Sequence, residues 1–411
     1  MSSPLNHILV LNCGSSSLSY KVFAYADANN VSVSLSGKAH RVGVKGTEPS
    51  FLETDFHGAI QKEVIPLENH GAAAEAALKS VEAHGIAVGC IGHRFVHGGS
   101  YFPDSVQLTR ETMEKLKLCQ PLAPIHNPNS LSVIEVCTRL LPDVPQYAAF
   151  DSAFHSTIPE YAYTYALPRN IARKFGFRKY GFHGLSYQYV TWEIARYLGV
   201  SQKGLRVVAC HLGTGGSSVA AMRDGRSIDT SMGYSPNTGL VMSTRCGDID
   251  PMLATYLMSL YGYRPDELTD LLSKQSGLLG VSGFSSDIRD IILRFEEREE
   301  EQAELALEMY VHRLKRYIGG CAALLGGMDV LVFTDDIGVH NWQVREKVCE
   351  NMEWCGIVLD REANRKIAGD GDSSVEESTS RVKILVIPTD EELMICMEGI
   401  RLQGVAHAVA L

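Results

Sequence analysis

The chain has 411 residues, 45% apolar and 21% charged, a globular mix long enough for two domains of ordinary size. Its net charge of −10 argues against broad electrostatic binding of nucleic acid or an anionic membrane surface, although a basic pocket is still allowed. No stretch has the roughly 18 uninterrupted apolar residues of a membrane span, and the first residues lack the basic and then apolar pattern of a secretory signal, so a cytoplasmic location is expected.

The ten cysteines stand singly, with no CxxC, mostly in apolar runs such as AVGC (87–90) and VVAC (207–210). They read as reduced core thiols rather than disulfides or zinc ligands. Cys246, in TRCGD, lies in a motif and is assigned a packing role.

In chain order, residues 7–67 alternate apolar runs with turns and read as mostly antiparallel sheet. Their first part, HILVLNCGSSSLSYKVFAYA (7–26), is strand, Gly-Ser bend, strand. HGAAAEAALKSVEAH (70–84) is Ala-rich and reads as helix. IAVGCIGHRFV (86–96) reads as a buried strand delivering Arg94 and His97. A helix over 109–118, a Pro-broken loop over 121–130 carrying His126 and Asn127, and a helix over 130–141 follow. QYAAFDS (146–152) is a strand ending on Asp151, and a domain boundary is expected just after it.

KYGFHGLSYQYV (179–190) presents His183 at a Gly-flanked bend before a helix that runs to about Leu198. LRVVAC (205–210) then feeds HLGTGGSS (211–218), and a second apolar segment (219–222) leaves it. Three glycines and two serines in one bend make a backbone that anionic oxygens can approach closely. The same strand, turn, strand pattern opens the chain, which suggests two similar domains facing each other across a cleft. DTSMGYSPNTGLVMSTRCGDIDP (229–251) is irregular, and long irregular stretches in compact domains are usually functional. Helices are expected at 251–261 and 265–275. A loop over 276–290 then leads into a helix running through EEREEEQAE (296–304) as a solvated face and on to Leu325. Val330 to Thr334 is a strand ending at Asp335-Asp336, and 381–388 is the last strand. The helix over 389–402 takes Thr389 as N-cap and Glu392 as its capping-box partner, and returns to the first domain.

Polar residues at strand ends and in Gly-rich bends stand out: Asn12, Arg94, His126, Asp151, His183, Thr214, Arg245, Asp287, Arg289 and Glu391. Singly, each has a bland reading as an ion pair, a loop side chain or a helix-start acid. Together they are a parts list for phosphoryl transfer: arginines and a histidine to spread charge, backbone amides to cradle phosphates, a carboxylate to position a cation. GxxxxGK[ST], HExxH and a GxSxG elbow are all absent, which excludes a P-loop enzyme and leaves hydrolase chemistry without an anchor.

The set of motifs NCGSSSL (12–18), GHRFVHGG (92–99), LAPIHNP (122–128), FDSAFHSTIPEYAYTYALP (150–168), YGFHG (180–184), HLGTGGS (211–217), DTSMG (229–233), TRCGDIDP (244–251), SGLLGVSG (276–283) and PTDEEL (388–393) resembles the acetate kinase family, from Ile8 to about Leu402. The resemblance implies an α/β fold of duplicated actin/Hsp70/hexokinase-like, ribonuclease H-like domains flanking a cleft. The first would be 1–151 plus about 394–411, on the acyl-phosphate and metal side. The second, 152–393, would carry the phosphate donor and the dimer contacts of a homodimer. It further implies that Arg94 and Arg245 hold the acyl phosphate, that His183 stabilises the phosphoryl in flight, and that Asp151 is an acid/base or orienting carboxylate. Val96, Leu122, Phe182 and Pro236 would line the acetate-methyl pocket with His126 at its edge. His211, Gly213, Thr214, Gly215, Gly216, Asp287, Arg289, Asp336 and Gly338 would form the phosphate or nucleotide side. Asn12 and Glu391 would serve Mg²⁺ or Mn²⁺. Transfer would be direct and in line.

The chain departs from the family at three places. Thr214 replaces the Asn of HLGNG. Ser19 replaces the Lys of SSSLK, with Lys21 close by. The nucleotide loop, roughly FTAGIGEN in the family, is FTDDIGVHNW here, so Asp336 stands where a Gly lets adenosine lie against the backbone. Repulsion of an anionic ligand at that range is on the order of a few kcal/mol. These changes are similar to the amoebal, diphosphate-linked members of the family, and the expected reaction is acetyl phosphate + phosphate giving acetate + diphosphate. The alternative is a conventional ATP-dependent acetate or propionate kinase. Retention of the motif residues disfavours a non-catalytic binding protein, and the small apolar pocket disfavours a sugar kinase.

Overall fold

The computed structural model describes residues 6–404 apart from 28, 47 and 370. Two compact units divide the chain. One holds the chain up to Phe154, the segment Gly184–Tyr189 and the chain from Asp390 onward; the other holds His155–His183 and Val190–Thr389.

In the first unit, β1 (Asn6–Cys13) and β2 (Ser17–Asp27) form an antiparallel hairpin, with Cys13 opposite Leu18 next to the turn. The strands β3 (Asn30–His40), β4 (Phe51–Phe56) and β5 (Ala59–Val64) continue it antiparallel. On the other side β1 pairs in parallel with β6 (Cys90–Phe95). That strand pairs in parallel with β8 (Gln146–Phe150), and β7 (Val106–Gln107) closes the edge. The sheet order is β5-β4-β3-β2-β1-β6-β8-β7.

The second unit begins the same way. A hairpin of β9 (Arg206–Gly213) and β10 (Gly216–Arg223) is extended antiparallel by β11 (Arg226–Thr230). Then β9 pairs in parallel with β12 (Val330–Thr334), β12 in parallel with β14 (Lys383–Val386), and β13 (Ser373–Ser374) closes the edge. The order is β11-β10-β9-β12-β14-β13. The runs β3-β2-β1-β6-β8 and β11-β10-β9-β12-β14 share one plan, three antiparallel strands followed by two parallel ones. The duplicated ribonuclease H-like α/β fold that the resemblance implies is therefore present.

The central strands are buried on both faces, which is why they read as continuous apolar runs rather than alternating ones. Helix His70–Ala83 turns Ala73, Ala74, Ala77, Leu78 and Val81 into the first core, and Asn69 caps it by accepting the Ala72 N–H at 3.0 Å. Helix Glu391–Leu402 packs Met394, Ile395, Met397 and Ile400 beside Ile8 and Val10, and Tyr147 Oη donates to the Ile395 carbonyl at 2.7 Å. The 25-residue helix Glu301–Leu325 supplies Ala303, Leu307, Val311, Leu314 and Ile318 to the second core. Each buried Leu, Ile, Val or Met among these contributes about 1.5–3 kcal/mol, and each Ala less. Among the described residues no helix is long and apolar enough to cross a membrane.

Several expected boundaries are corrected. The strand expected over 86–96 pairs only from Cys90 to Phe95. The helix expected from Ser130 starts at Asn127, because Pro128 sits in the first turn where no N–H is needed. The loop expected over 276–290 contains a helical turn, Gly277–Ser282, and Asp335 and Asp336 open a short helix, Asp335–His340. The acidic run is not one helix: Ile288–Arg298 ends at Glu299, whose φ of 52° is left-handed, and a new helix starts at Glu301. Glu300 in the joint pairs with Arg294 and Arg298. Thr389 is not an N-cap. Asp390 holds that position and accepts the Leu393 N–H at 2.9 Å, while Glu392 turns to other partners.

Candidate active site

Parallel strands place their C-terminal ends side by side, so β1, β6 and β8 bring together Asn12, Arg94 and the residue just past β8, Asp151. Arg94 donates to both Asp151 oxygens, Nε to Oδ1 at 3.1 Å and Nη2 to Oδ2 at 2.7 Å, and Nη1 donates to Asn12 Oδ1 at 3.1 Å. The start of helix Glu391–Leu402 adds three acids. Glu391 Oε2 lies 3.7 Å from Arg94 Nε, Glu392 accepts from Asn12 Nδ2 at 3.0 Å, and Asp390 meets Lys21 Nζ at 3.0 Å. Glu392 also approaches Lys21, at 3.6 Å. Burial alone would lower the proton affinity of Arg94 and Lys21. The carboxylates beside each outweigh that and raise both.

Two cations here face four carboxylates, Asp151, Asp390, Glu391 and Glu392. That excess negative charge and the all-oxygen donor set of Asn12 and Glu391 fit a divalent hard cation. Among the described residues no cluster of three or more His, Cys, Asp or Glu could hold a metal ion by itself. Magnesium held largely through substrate phosphates and water needs only one or two protein oxygens, so the residues are compatible with it.

Near this group Val96 is buried and Leu122 packs on the cluster of Phe95, Phe102 and Phe150. His126 precedes helix Asn127–Leu140 without a side-chain cap bond. The adjacent Asn127, fully buried, accepts the His97 N–H at 3.2 Å and donates to the His97 and Cys119 carbonyls at 3.0 and 2.7 Å. It ties the VHGG turn to this loop, a role not evident from the motif.

In the second unit the turn between β9 and β10 spans Gly213 to Gly216. His183, with a left-handed φ of 60°, stacks its ring on His211, the centroids 3.9 Å apart and the planes at 25°. Its Nδ1 lies 2.8 Å from Ser218 Oγ. His211 Nε2 lies 3.0 Å from Asp335 Oδ2. Asp336 takes up the Thr214 backbone N–H and hydroxyl, both at 2.9 Å. Arg245 donates to the carbonyls of Pro236 at 3.1 Å and Gly215 at 3.2 Å, and among the described residues no carboxylate lies within ion-pair distance of it. Burial lowers its proton affinity. An anion alongside would relieve that penalty. A Cβ built on Gly216 would stand 3.1 Å from Arg245 Nη1 and 3.7 Å from His183 Nε2, so both groups converge on that glycine.

Asp287 and Arg289 pair with each other instead of with the turn, Nε to Oδ1 at 2.8 Å, and Arg289 is exposed. That hydrogen bond holds the Asp287 carboxyl below its usual range. Gly338 is fixed by its carbonyl, which with that of Val339 accepts from the buried Arg345 at 2.8 and 2.6 Å. Phe182 is buried and Pro236 half-buried.

The sequence reasoning placed none of Ser218, Asp335, Glu392 and Arg345 at the site, and gave Glu392 only a capping role. Ser218 was accessible to it: a hairpin closing at Gly213 and Gly216 pairs His211 with Ser218 by register. Asp335 and Arg345 depend on a left-handed backbone and on tertiary packing that no local pattern announces.

The acetokinase family profile matches residues 7–397. The chain is 42% identical over 404 residues to the acetate kinase of Bacteroides thetaiotaomicron, covering 95% of this chain and 98% of that one. The crystal structure of acetate kinase from Entamoeba histolytica superimposes with a TM-score of 0.88 at 42% identity, over 97% of this chain and 99% of that one. That of a propionate kinase from Francisella tularensis gives 0.86 at 34%, over 96% and 98%. With its duplicated fold, its motif residues at paired strand ends and turns, and these relatives along nearly its whole length, the chain belongs to the acetokinase family, phosphotransferases with a carboxyl group as acceptor.

Proposed function

We propose that the protein is an ATP-dependent acetate kinase, converting ATP and acetate to ADP and acetyl phosphate. The relatives at 42–43% identity over most of the chain carry the plain name acetate kinase, which favours this over the diphosphate-linked reaction expected from the loop changes. The observation that carries the phosphotransfer reading is Arg245, a partly buried guanidinium without a carboxylate partner among the described residues, converging with His183 on Gly216.

In this reading an acetate oxygen attacks the terminal phosphorus in line as the bond to the ADP oxygen breaks. Arg94 and Arg245 hold the acyl phosphate and His183 donates to the phosphoryl oxygens in flight. Asp151 fixes the Arg94 fork through two hydrogen bonds. Val96, Leu122, Phe182 and Pro236 form the methyl pocket, with His126 at its edge, and propionate is a second acceptor to test. When bound at Asn12 and Glu391, Mg²⁺ (or Mn²⁺) would neutralise phosphate charge. His211, the 213–216 turn, Asp287, Arg289 and Gly338 serve the donor side.

A diphosphate-linked second reading rests on Asp336, whose carboxylate occupies donors of the Gly-rich turn. Acetyl phosphate consumption assayed with ADP and with orthophosphate separates the two. ATP formation with ADP, and little turnover with orthophosphate, supports the first. Diphosphate formation without ATP overturns it.

A homodimer completes the proposal. Helix Pro251–Tyr261 is strongly apolar yet buries no residue in this chain, and Met252, Leu253, Tyr256, Met258, Leu260 and Tyr261 are all exposed. An apolar face of that extent fits a second copy of the chain.

A further inference from the structure

We propose that Asp335 is a positioning residue of the transfer site, holding the His211 ring in its stack against His183. The inference deepens the reading above and rests on His183 meeting the phosphoryl group.

Three observations converge. Asp335 Oδ2 lies 3.0 Å from His211 Nε2, with the imidazole 5% exposed and the carboxylate 33% exposed. The other ring of the pair is held by Ser218 Oγ at His183 Nδ1, 2.8 Å away, and the two ring centroids lie 3.9 Å apart. Second, Asp335 keeps a left-handed φ of 64°, which a residue with a side chain rarely adopts and which the fold must maintain against its preference. Third, a Cβ on Gly213 would collide with the Asp335 carboxylate, so the Gly-rich turn is built to let that carboxylate come close.

The charge argument follows from the stack. Two imidazoles at this separation do not both hold a proton readily. Groups around them include Asp335 from the short helix at His211, Ser218 from β10 at His183, and Arg245 from the long irregular segment, which converges with His183 on Gly216. Asp335 is a carboxylate in contact with the His211 ring, and it favours the proton there. His183 is left neutral, with its Nε2 toward Gly216 and a fixed orientation. A neutral ring acts as a hydrogen-bond donor to the phosphoryl without surrendering a proton to it.

The test compares wild type, Asp335→Asn, Asp335→Ala and His183→Ala. Histidine ring titrations by NMR are read together with kcat, KM and the pH profile of kcat in the acetyl phosphate-forming direction. Asp335→Asn keeps an oxygen at the same place and removes the charge. The expected result is a lower His211 midpoint, a higher His183 midpoint, kcat down about tenfold with acetate KM unchanged, and a shifted pH profile. Asp335→Ala should do the same more strongly. Unchanged ring midpoints in both variants overturn the proposal, as does a shifted His211 midpoint with an unmoved pH profile. Should His183→Ala turn over like wild type, the site reading beneath it fails. Should that variant be inactive while the Asp335 variants behave as wild type, only the Asp335 role fails.

Discussion

Asp336 and Thr214 are joined by two hydrogen bonds of 2.9 Å, one from the Thr214 backbone N–H to Oδ1 and one from its hydroxyl to Oδ2. Donors that a Gly-rich turn would otherwise present to a phosphate oxygen are thus satisfied within the protein. The same carboxylate adds negative charge where an anionic donor would approach. Asp336→Gly should therefore raise kcat/KM for ADP about tenfold, the worth of one recovered hydrogen bond of about 1.4 kcal/mol. Steady-state kinetics with acetyl phosphate and varied ADP check this. An unchanged constant would separate Asp336 from donor binding.

The Arg94–Asp151 fork joins stability to activity. Asp151 is 1% exposed, so Arg94→Met leaves a buried carboxylate unpaired, a loss of about 3–5 kcal/mol. Arg94→Lys keeps the charge and loses the paired geometry, so it should fold with a smaller loss yet fall at least about a hundredfold in turnover. Denaturant melts beside initial rates distinguish the two effects.

His93 governs acid stability. It is 1% exposed, its Nε2 lies 2.7 Å from Gln146 Oε1, and its Nδ1 has no hydrogen-bond partner among the described residues. Burial lowers its pKa from 6.5 to about 4. As the pH falls below 6.5 the unfolded chain takes up a proton that the folded chain refuses until about 4. Stability therefore drops through that window, by about 3 kcal/mol at most, and levels off below it. His93→Gln should flatten this limb of the stability curve, read from urea midpoints between pH 7 and 4.

The apolar helix Pro251–Tyr261 makes a simple prediction about assembly. Leu260→Asp, at a position 71% exposed in the single chain, should leave the fold intact and shift a dimer toward monomer. Light scattering with circular dichroism reads both. A wild type that is already monomeric would remove the dimer proposal.

Much of this architecture was legible from residue order. The paired hairpins announced the duplication because each joins an apolar run, a Gly-Ser bend and a second apolar run. What escaped depends on choices among near-equivalent residues. PTDEEL offers two side chains able to cap a helix, Thr389 and Asp390, followed by two glutamates. Asp390 takes the cap, while Glu391 approaches Arg94 and Glu392 turns to Asn12 and Lys21. Thr389, the expected cap, has a buried hydroxyl without a hydrogen bond among the described residues. The break at Glu299 has neither Gly nor Pro to mark it, and Glu300 beside it pairs with Arg294 and Arg298. The motif residues themselves gather as two sets, Asn12, Arg94, Asp151 and Glu391 in one unit and His183, His211, Thr214, Arg245 and Asp336 in the other. Asp287 and Arg289, expected beside the donor, pair with each other.

The repeated strand order has an evolutionary consequence. Each copy carries polar groups on its own hairpin and parallel strand ends, the Arg94–Asn12 bond in one and the His183–Ser218 contact in the other. Asp335 and Asp336 act on the turn of one copy, while the Arg94 fork belongs to the other. Such a gene can drift in what supplies its phosphate while the machinery for the short acid stays untouched, so donor preference should vary more readily among its descendants than acceptor preference.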